Sequence, residues 1–154
     1  MSKAHTGKAI SYIDGQWVDG NPPTLGAMDH AVWLGSAVFD GARAFAGLAP
    51  DLDRHCARAV RSARLMGLAP ALDGAGIEAI ARDGIARFPK QSELYICPMF
   101  FATEGFIVPD PATTRFVMTV AEAPIPAADG FSACISSFRR PATNMAPTEA
   151  KASC

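Results

Sequence analysis

Apolar and polar residues alternate near the N-terminus in a pattern that predicts a β-hairpin. Residues 11–20 hold two short runs rich in aromatic and β-branched side chains, and these runs flank Asp14-Gly15. Asp-Gly is a favoured two-residue turn between antiparallel strands, because it tolerates the positive φ angles of that turn. Asn21-Pro22-Pro23 then ends the pattern, and residues 39–45 are expected to form a short turn that leads into a strand.

Two segments with helical periodicity follow the hairpin. Apolar residues recur at helical spacing across residues 52–68, where Asp51 or Asp53 can cap the helix and Gly67 is a stop signal. A second helix is predicted for residues 76–88, because its isoleucines and alanines fall on one face.

Strand patterns dominate the second half of the chain. Residues 93–102 are apolar and aromatic, and residues 115–121 alternate as a half-buried strand does. Residues 123–130 contain two prolines, which preclude regular structure and predict a linker. Residues 131–136 are expected to begin a further strand.

This order of elements predicts an α+β fold in three parts. Residues 1–122 would form a small N-terminal α+β domain, residues 123–130 an interdomain linker, and residues 131–154 the truncated start of a larger C-terminal domain.

Composition argues against several classes of protein. No apolar run reaches the roughly 18 residues that a membrane span needs, and residues 1–8 lack the apolar stretch of a secretory signal. The 14 basic and 15 acidic residues nearly balance without a basic stripe, so we expect no nucleic-acid partner. The four cysteines are widely separated, so we expect no metal site and free thiols in a reducing, cytoplasmic compartment.

Lys151 is the first candidate for chemistry. Lysine is scarce, and Lys151 follows a Pro147-Thr148 turn among small apolar residues. A desolvated lysine can lose its proton near neutral pH and attack a carbonyl carbon, as Schiff-base lysines do. The alternative is an ordinary surface lysine near the end of the chain.

Arg58 is the second candidate, one helical turn from His55. A guanidinium that faces inward suits a phosphate or a carboxylate, because its fork donates two parallel hydrogen bonds. The alternative is a solvated basic helix face, since three other arginines lie close in sequence. Gly41 is a third feature, since it would let the backbone approach a ligand or a neighbouring strand.

In this order, these segments resemble the class IV aminotransferases, the pyridoxal-phosphate enzymes of the branched-chain and D-amino-acid transaminase fold. The resemblance covers nearly the whole chain. Its motifs are the hairpin at 12–18, the segment 35–43, His55-x-x-Arg58, and Pro147-Thr148-x-Ala150-Lys151. The spacing from Ser136 to Lys151 is most similar to the branched-chain subgroup.

The resemblance implies a small domain, with an antiparallel sheet and two helices, followed by the first strand and lysine loop of a larger domain. It implies that Lys151 forms the internal aldimine with pyridoxal 5'-phosphate and shuttles a proton, and that Arg58 binds the cofactor phosphate. Phe39 would line the substrate pocket and Arg43 would lie close to the active-site wall, while Arg140 would be structural or lie at the pocket edge. The expected reaction moves an amino group between a branched-chain-like or other apolar amino acid and a 2-oxo acid, in a homodimer.

Two substrate-pocket positions depart from the branched-chain pattern. Tyr95 is kept, but Cys97 stands where an arginine is expected, and Leu34 stands where a tyrosine is expected. A thiol and an isobutyl group cannot bind a distal carboxylate as a guanidinium and a phenol do. The sequence therefore favours pyruvate or an apolar 2-oxo acid over 2-oxoglutarate.

Three alternatives remain at this stage. The same fold serves 4-amino-4-deoxychorismate lyases and D-amino-acid or (R)-amine transaminases. The family's remaining cofactor contacts lie beyond Cys154, so transamination would need that further domain. A chain that ends at Cys154 would instead be an inactive binding or dimerisation module.

Overall fold

The computed structural model describes residues 7–153, and in that range the chain forms a six-stranded sheet and three α-helices. The strands are β1 (Ala9–Ile13), β2 (Gln16–Asp19), β3 (Ala37–Phe39), β4 (Ala42–Ala44), β5 (Leu94–Ala102) and β6 (Thr114–Glu122). The helices are α1 (His30–Leu34), α2 (Leu52–Leu65) and α3 (Gly74–Ala86), with a 3-10 turn at Pro111–Thr113.

The sheet is antiparallel and is built around β5. The strand order is β2-β1-β6-β5-β3, and β4 also pairs with β5. β5 pairs with β6 along its whole length. Its other edge is divided between the two short strands, since β3 pairs with Met99–Phe101 and β4 with Leu94–Ile96. Asp40 and Gly41 connect these short strands, and the Asp40 N–H donates to the Pro98 carbonyl at 3.0 Å.

The two faces of β5 have different neighbours. Leu94, Ile96 and Phe100 are almost fully buried in the core that α2 and α3 cover. The alternate residues Tyr95 and Cys97 are half-buried, because successive side chains of a strand point to opposite faces. The helices thus pack on one face, and the opposite face is left for a site.

The predicted hairpin and the two long helices are confirmed. β1 and β2 are joined by Asp14-Gly15, which have φ angles of 49° and 86°. α2 ends before Gly67, whose φ of 76° ends the helix in the left-handed conformation. α3 begins two residues earlier than expected. The Asp73 side chain accepts a hydrogen bond from the Gly76 N–H and thereby caps the N-terminus of the helix.

The expected cap of α2 is wrong in its detail. Asp51 occupies the N-cap position, but it has a φ of 50° and makes no side-chain capping bond. Its carboxylate lies 3.7 Å from Arg54 instead. Asp53 lies in the first turn, where its negative charge stabilises the helix by its attraction to the positive end of the helix dipole.

The strand expected over residues 131–136 does not form. Phe131 and Ile135 are exposed, and the segment has no regular structure. A strand needs a neighbouring edge for its N–H and C=O groups, and among the described residues no residue of 131–136 pairs with a strand of the sheet. The sheet ends at Glu122. The division into two domains and a linker stays a prediction.

Two predicted absences concern membranes and metals. Among residues 7–153, no helix is long and apolar enough to cross a membrane. The same residues contain no group of three or more histidine, cysteine or acidic side chains placed to hold a metal ion.

Candidate active site

Lys151 is held against the sheet by its backbone. The Lys151 carbonyl accepts from the Phe39 N–H at 3.1 Å, and Ala152 forms an antiparallel bridge with Val38. The Ser153 N–H and hydroxyl both donate to the Ala37 carbonyl, at 2.9 and 2.8 Å. The end of the chain thus pairs with β3.

A second contact ties Lys151 to α2. Its N–H donates to the hydroxyl of Ser62 at 3.0 Å, and Ser62 is fully buried. The Lys151 Nζ lies 4.8 Å from the centre of the Phe39 ring. The amine of a half-buried lysine is therefore placed over an aromatic face by bonds from two different elements.

A cavity of about 310 Å³ opens beside this lysine. Phe39, Met66 and Arg140 line it together with residues of the segment from Ala146 to Ala152. The volume lies at the lower end of the range for small-molecule sites. Arg140, expected to be structural or at the pocket edge, is among the residues that line this cavity.

The guanidinium of Arg58 is paired with a carboxylate that the sequence analysis did not single out. Asp40 is fully buried and accepts from Arg58 Nε at 2.6 Å and from Nη2 at 2.7 Å. It also accepts from the Gly41 N–H at 2.7 Å, and it lies 2.8 Å from His55 Nδ1. The two residues of the His-x-x-Arg motif thus converge on one acid.

The pKa values of the pair shift in the directions that an ion pair favours. Burial alone would raise the pKa of Asp40, but hydrogen bonds from Arg58, His55 and Gly41 outweigh it and lower the pKa below its ordinary 3.8. The hydrogen bond to Asp40 raises the pKa of Arg58. Asp40 is therefore ionised at neutral pH.

The guanidinium of Arg58 is partly buried, and only some of its N–H groups donate to Asp40. Its side chain is 41% exposed. The bonds to Asp40 come from Nε and Nη2, so the two N–H groups of Nη1 are left for another acceptor. The phosphate role of Arg58 stays a prediction with which this geometry is compatible.

Gly41 makes the close approach that its position suggested. A Cβ atom there would lie 2.8 Å from the Cζ atom of Tyr95, a distance that side chains essentially never show. Arg43 pairs with Tyr95 across β4 and β5, and its Nη1 donates to the Ala123 carbonyl at 2.7 Å. Arg43 therefore fastens the first residue after β6.

Tyr95 and Cys97 lie on the face of β5 that carries the lysine. Burial raises the pKa of the Cys97 thiol, while a hydrogen bond with Tyr95 and the charge of Lys151 lower it in part. Burial likewise raises the pKa of Tyr95, with further contributions from Cys97. These three side chains form one electrostatic group. Leu34 is not among the residues that line the cavity and is 54% exposed at the end of α1.

The site is thus a lysine at the mouth of a small cavity, beside a helix that presents a paired arginine. A family model of class IV aminotransferases matches residues 37–154. The chain belongs to this family.

Relatives and solved structures extend this likeness. A probable branched-chain-amino-acid aminotransferase of Rickettsia bellii is 29% identical over 145 residues, which are 91% of this chain and 49% of that protein. An aminotransferase of Brucella abortus, solved with the cofactor PLP bound, is 44% identical with a TM-score of 0.91 over 96% of this chain and 54% of that one. The Escherichia coli branched-chain aminotransferase is 25% identical with a TM-score of 0.79 over 94% of this chain and 50% of that one. The chain spans about half the length of these proteins.

Proposed function

We propose that this chain forms the lysine-bearing part of a pyridoxal-phosphate-dependent aminotransferase. The enzyme would move an amino group between a branched-chain or other apolar amino acid and a 2-oxo acid. The observation that carries the proposal is the placement of Lys151, which two elements hold at the cavity with its amine over Phe39.

The residues present fit the cofactor. The cavity has an amine at its edge and an aromatic wall. Arg58 is not among the residues that line the cavity, but it lies one turn before Ser62 on α2, and its Nη1 group is not used by Asp40. When bound, pyridoxal phosphate supplies an aldehyde, a phosphate and a ring that withdraws electrons from Cα of the amino acid. Lys151 Nζ would hold the aldehyde carbon, and Arg58 Nη1 would bind a phosphate oxygen.

Lys151 would also move the proton that the reaction transfers. Its amine would take a proton from Cα and deliver it to the cofactor, and Lys151 is the one lysine among the described residues that lines the cavity. Ser62 and β3 fix the backbone on both sides of the lysine. This limits the reach of Nζ and keeps it at one edge of the cavity.

Tyr95 and Cys97 would shape the choice of substrate. Because its pKa is raised, Cys97 is a neutral thiol at pH 7, and the nearby Arg43 already donates to Ala123. A buried carboxylate without a cationic partner is costly. Pyruvate or an apolar 2-oxo acid would then be accepted better than 2-oxoglutarate.

We also infer a cytoplasmic homodimer. Trp33, Phe106 and Ile107 are between 68% and 86% exposed. α1 and the loop after β5 are adjacent, because Gly105 packs against His30. Exposed apolar groups of this size favour burial by a partner. Sedimentation of the full-length protein and of a Trp33→Asp variant tests this, and a monomeric parent protein would contradict it.

The experiment on function compares two lysine variants of the full-length protein, including any chain beyond Cys154. With pyridoxal phosphate, L-leucine and a 2-oxo acid, Lys151→Ala should abolish turnover, because it removes both the anchor and the proton carrier. The control Lys90→Ala, at an exposed turn, should keep the parent rate. Parent-like turnover by Lys151→Ala would contradict the proposal, and activity with D-leucine alone would assign the chain to the D-amino-acid enzymes.

A further inference from the structure

The buried carboxylate of Asp40 lies outside every role assigned so far. It has no exposed surface, and it is placed by the connection between β3 and β4, where its own N–H donates to the Pro98 carbonyl. The sheet therefore fixes the backbone of the acid by a bond that does not involve the helix. Four donors from three residues, two of Arg58 and one each of His55 and Gly41, then converge on its two oxygens.

Arg58 depends on such a fixed partner for its own geometry. An arginine side chain has many rotamers, and ordering it costs conformational entropy. Two parallel bonds from Nε and Nη2 to one carboxylate fix the plane of the guanidinium. A single bond to a neutral acceptor would leave the plane free to rotate.

The same face of α2 connects Arg58 to the lysine. Ser62 follows Arg58 by one turn and accepts from the Lys151 N–H at 3.0 Å, and Met66 follows Ser62 by another turn and lines the cavity. Arg58 is thus placed on the helix face that carries the site, and Nη1 is the part of its guanidinium that Asp40 does not use.

We propose that Asp40 is a positioning residue that holds Arg58 in the orientation in which its Nη1 group binds the phosphate of the cofactor. This rests on the proposed function. Asp40 itself touches neither cofactor nor substrate, since its oxygens are occupied by Arg58, His55 and Gly41.

Comparison of two ligands separates positioning from a general structural role. The full-length apoprotein is titrated with pyridoxal phosphate and with pyridoxal, which lacks the phosphate, and affinity is read from absorbance. Asp40→Asn should weaken the binding of pyridoxal phosphate by about tenfold or more, which corresponds to the loss of one charge-assisted hydrogen bond. It should leave the affinity for pyridoxal within about twofold of the parent value. The control Asp14→Asn, which removes a carboxylate paired with Arg115 at the hairpin turn, should change neither affinity.

Variants of Arg58 complete the test. Arg58→Lys keeps the charge but lacks the fork, so it should show the same phosphate-specific loss, even if Asp40→Asn does not fold. In an Arg58→Ala background, Asp40→Asn should cause no further loss. Equal weakening of both ligands by Asp40→Asn, or no weakening, overturns the positioning role. If Arg58→Ala also leaves both affinities unchanged, Arg58 does not bind the phosphate. The proposed function would still be supported if Lys151→Ala abolishes the binding of pyridoxal.

Discussion

Asp40→Asn should also loosen the packing of α2 on the sheet, by about 2 kcal/mol. Asparagine keeps one acceptor oxygen and places an NH2 group against the donors of Arg58 or His55, so about two charge-assisted bonds are lost. Such bonds contribute about 1.5–3 kcal/mol each when they are buried. Arg58 is 41% exposed, so water replaces part of the loss.

Hydrogen exchange of the full-length protein measures this loss in the segment concerned. Peptides that cover α2 and residues 38–44 should exchange about 30-fold faster in Asp40→Asn at pH 7, because about 1.4 kcal/mol corresponds to tenfold. Peptides of β1 and β2 serve as the internal reference. They should change less, since they lie on the far side of β6.

The contribution of Asp40 to the free energy of unfolding should depend on pH in one direction. The folded pKa of Asp40 lies below its ordinary value of 3.8, so the ionised acid stabilises the fold at every pH above about 4, and this is lost as pH falls through the folded pKa. The difference between parent and Asp40→Asn should therefore be constant from pH 7 to 5 and shrink below pH 4. A difference that is absent, or that grows as pH falls, would refute the ion pair as the source of the stability.

One double substitution, one single substitution and one alkylation experiment test the site and its surroundings. Cys97→Arg, combined with Leu34→Tyr, should raise the ratio of kcat/KM for 2-oxoglutarate over pyruvate. A parent protein that already prefers 2-oxoglutarate would show that another group binds the distal carboxylate. Arg140, which lines the cavity, would be the first candidate. Gly41→Ala should lower the free energy of unfolding by about 1–3 kcal/mol, because the added methyl group collides with the Tyr95 ring. It should also lower kcat, and parent-like kinetics would show that the ring can move freely. Burial, with Glu78 and Asp40 nearby, raises the pKa of Cys56 to about 12, so its thiol should resist iodoacetamide at pH 9 in the native protein and react after unfolding; rapid native alkylation would contradict this.

Local signals were sufficient for the long elements. The Asp14-Gly15 turn and the apolar spacing of α2 and α3 are properties of neighbouring residues. The short elements are different: β3 and β4 have three residues each and are defined by their pairing with β5, 50 or more residues later in the chain. The short helix α1 is also missed, because five residues are too few to show helical periodicity in the sequence.

The site shows the same division. Lys151 and Arg58 are both indicated by their neighbours in sequence, and the structure places Arg58 on α2 and Lys151 against it. Asp40 was passed over in favour of the adjacent Gly41, because a single acid in an apolar run carries no periodic signal. Its partner is 18 residues away, and only the pairing of β4 with β5 brings the acid onto α2. The one available signal was an acidic residue between two apolar strand segments, a position that is costly to bury without a partner.

The most direct test of the account is to find which lysine carries the cofactor. The full-length protein is incubated with pyridoxal phosphate and reduced with borohydride, which makes the bond between cofactor and amine permanent, and its peptides are mapped by mass. The account predicts the added mass on the peptide that contains Lys151, and its loss when pyridoxal phosphate is omitted. Label at Lys90, or at no lysine of this chain, would contradict it.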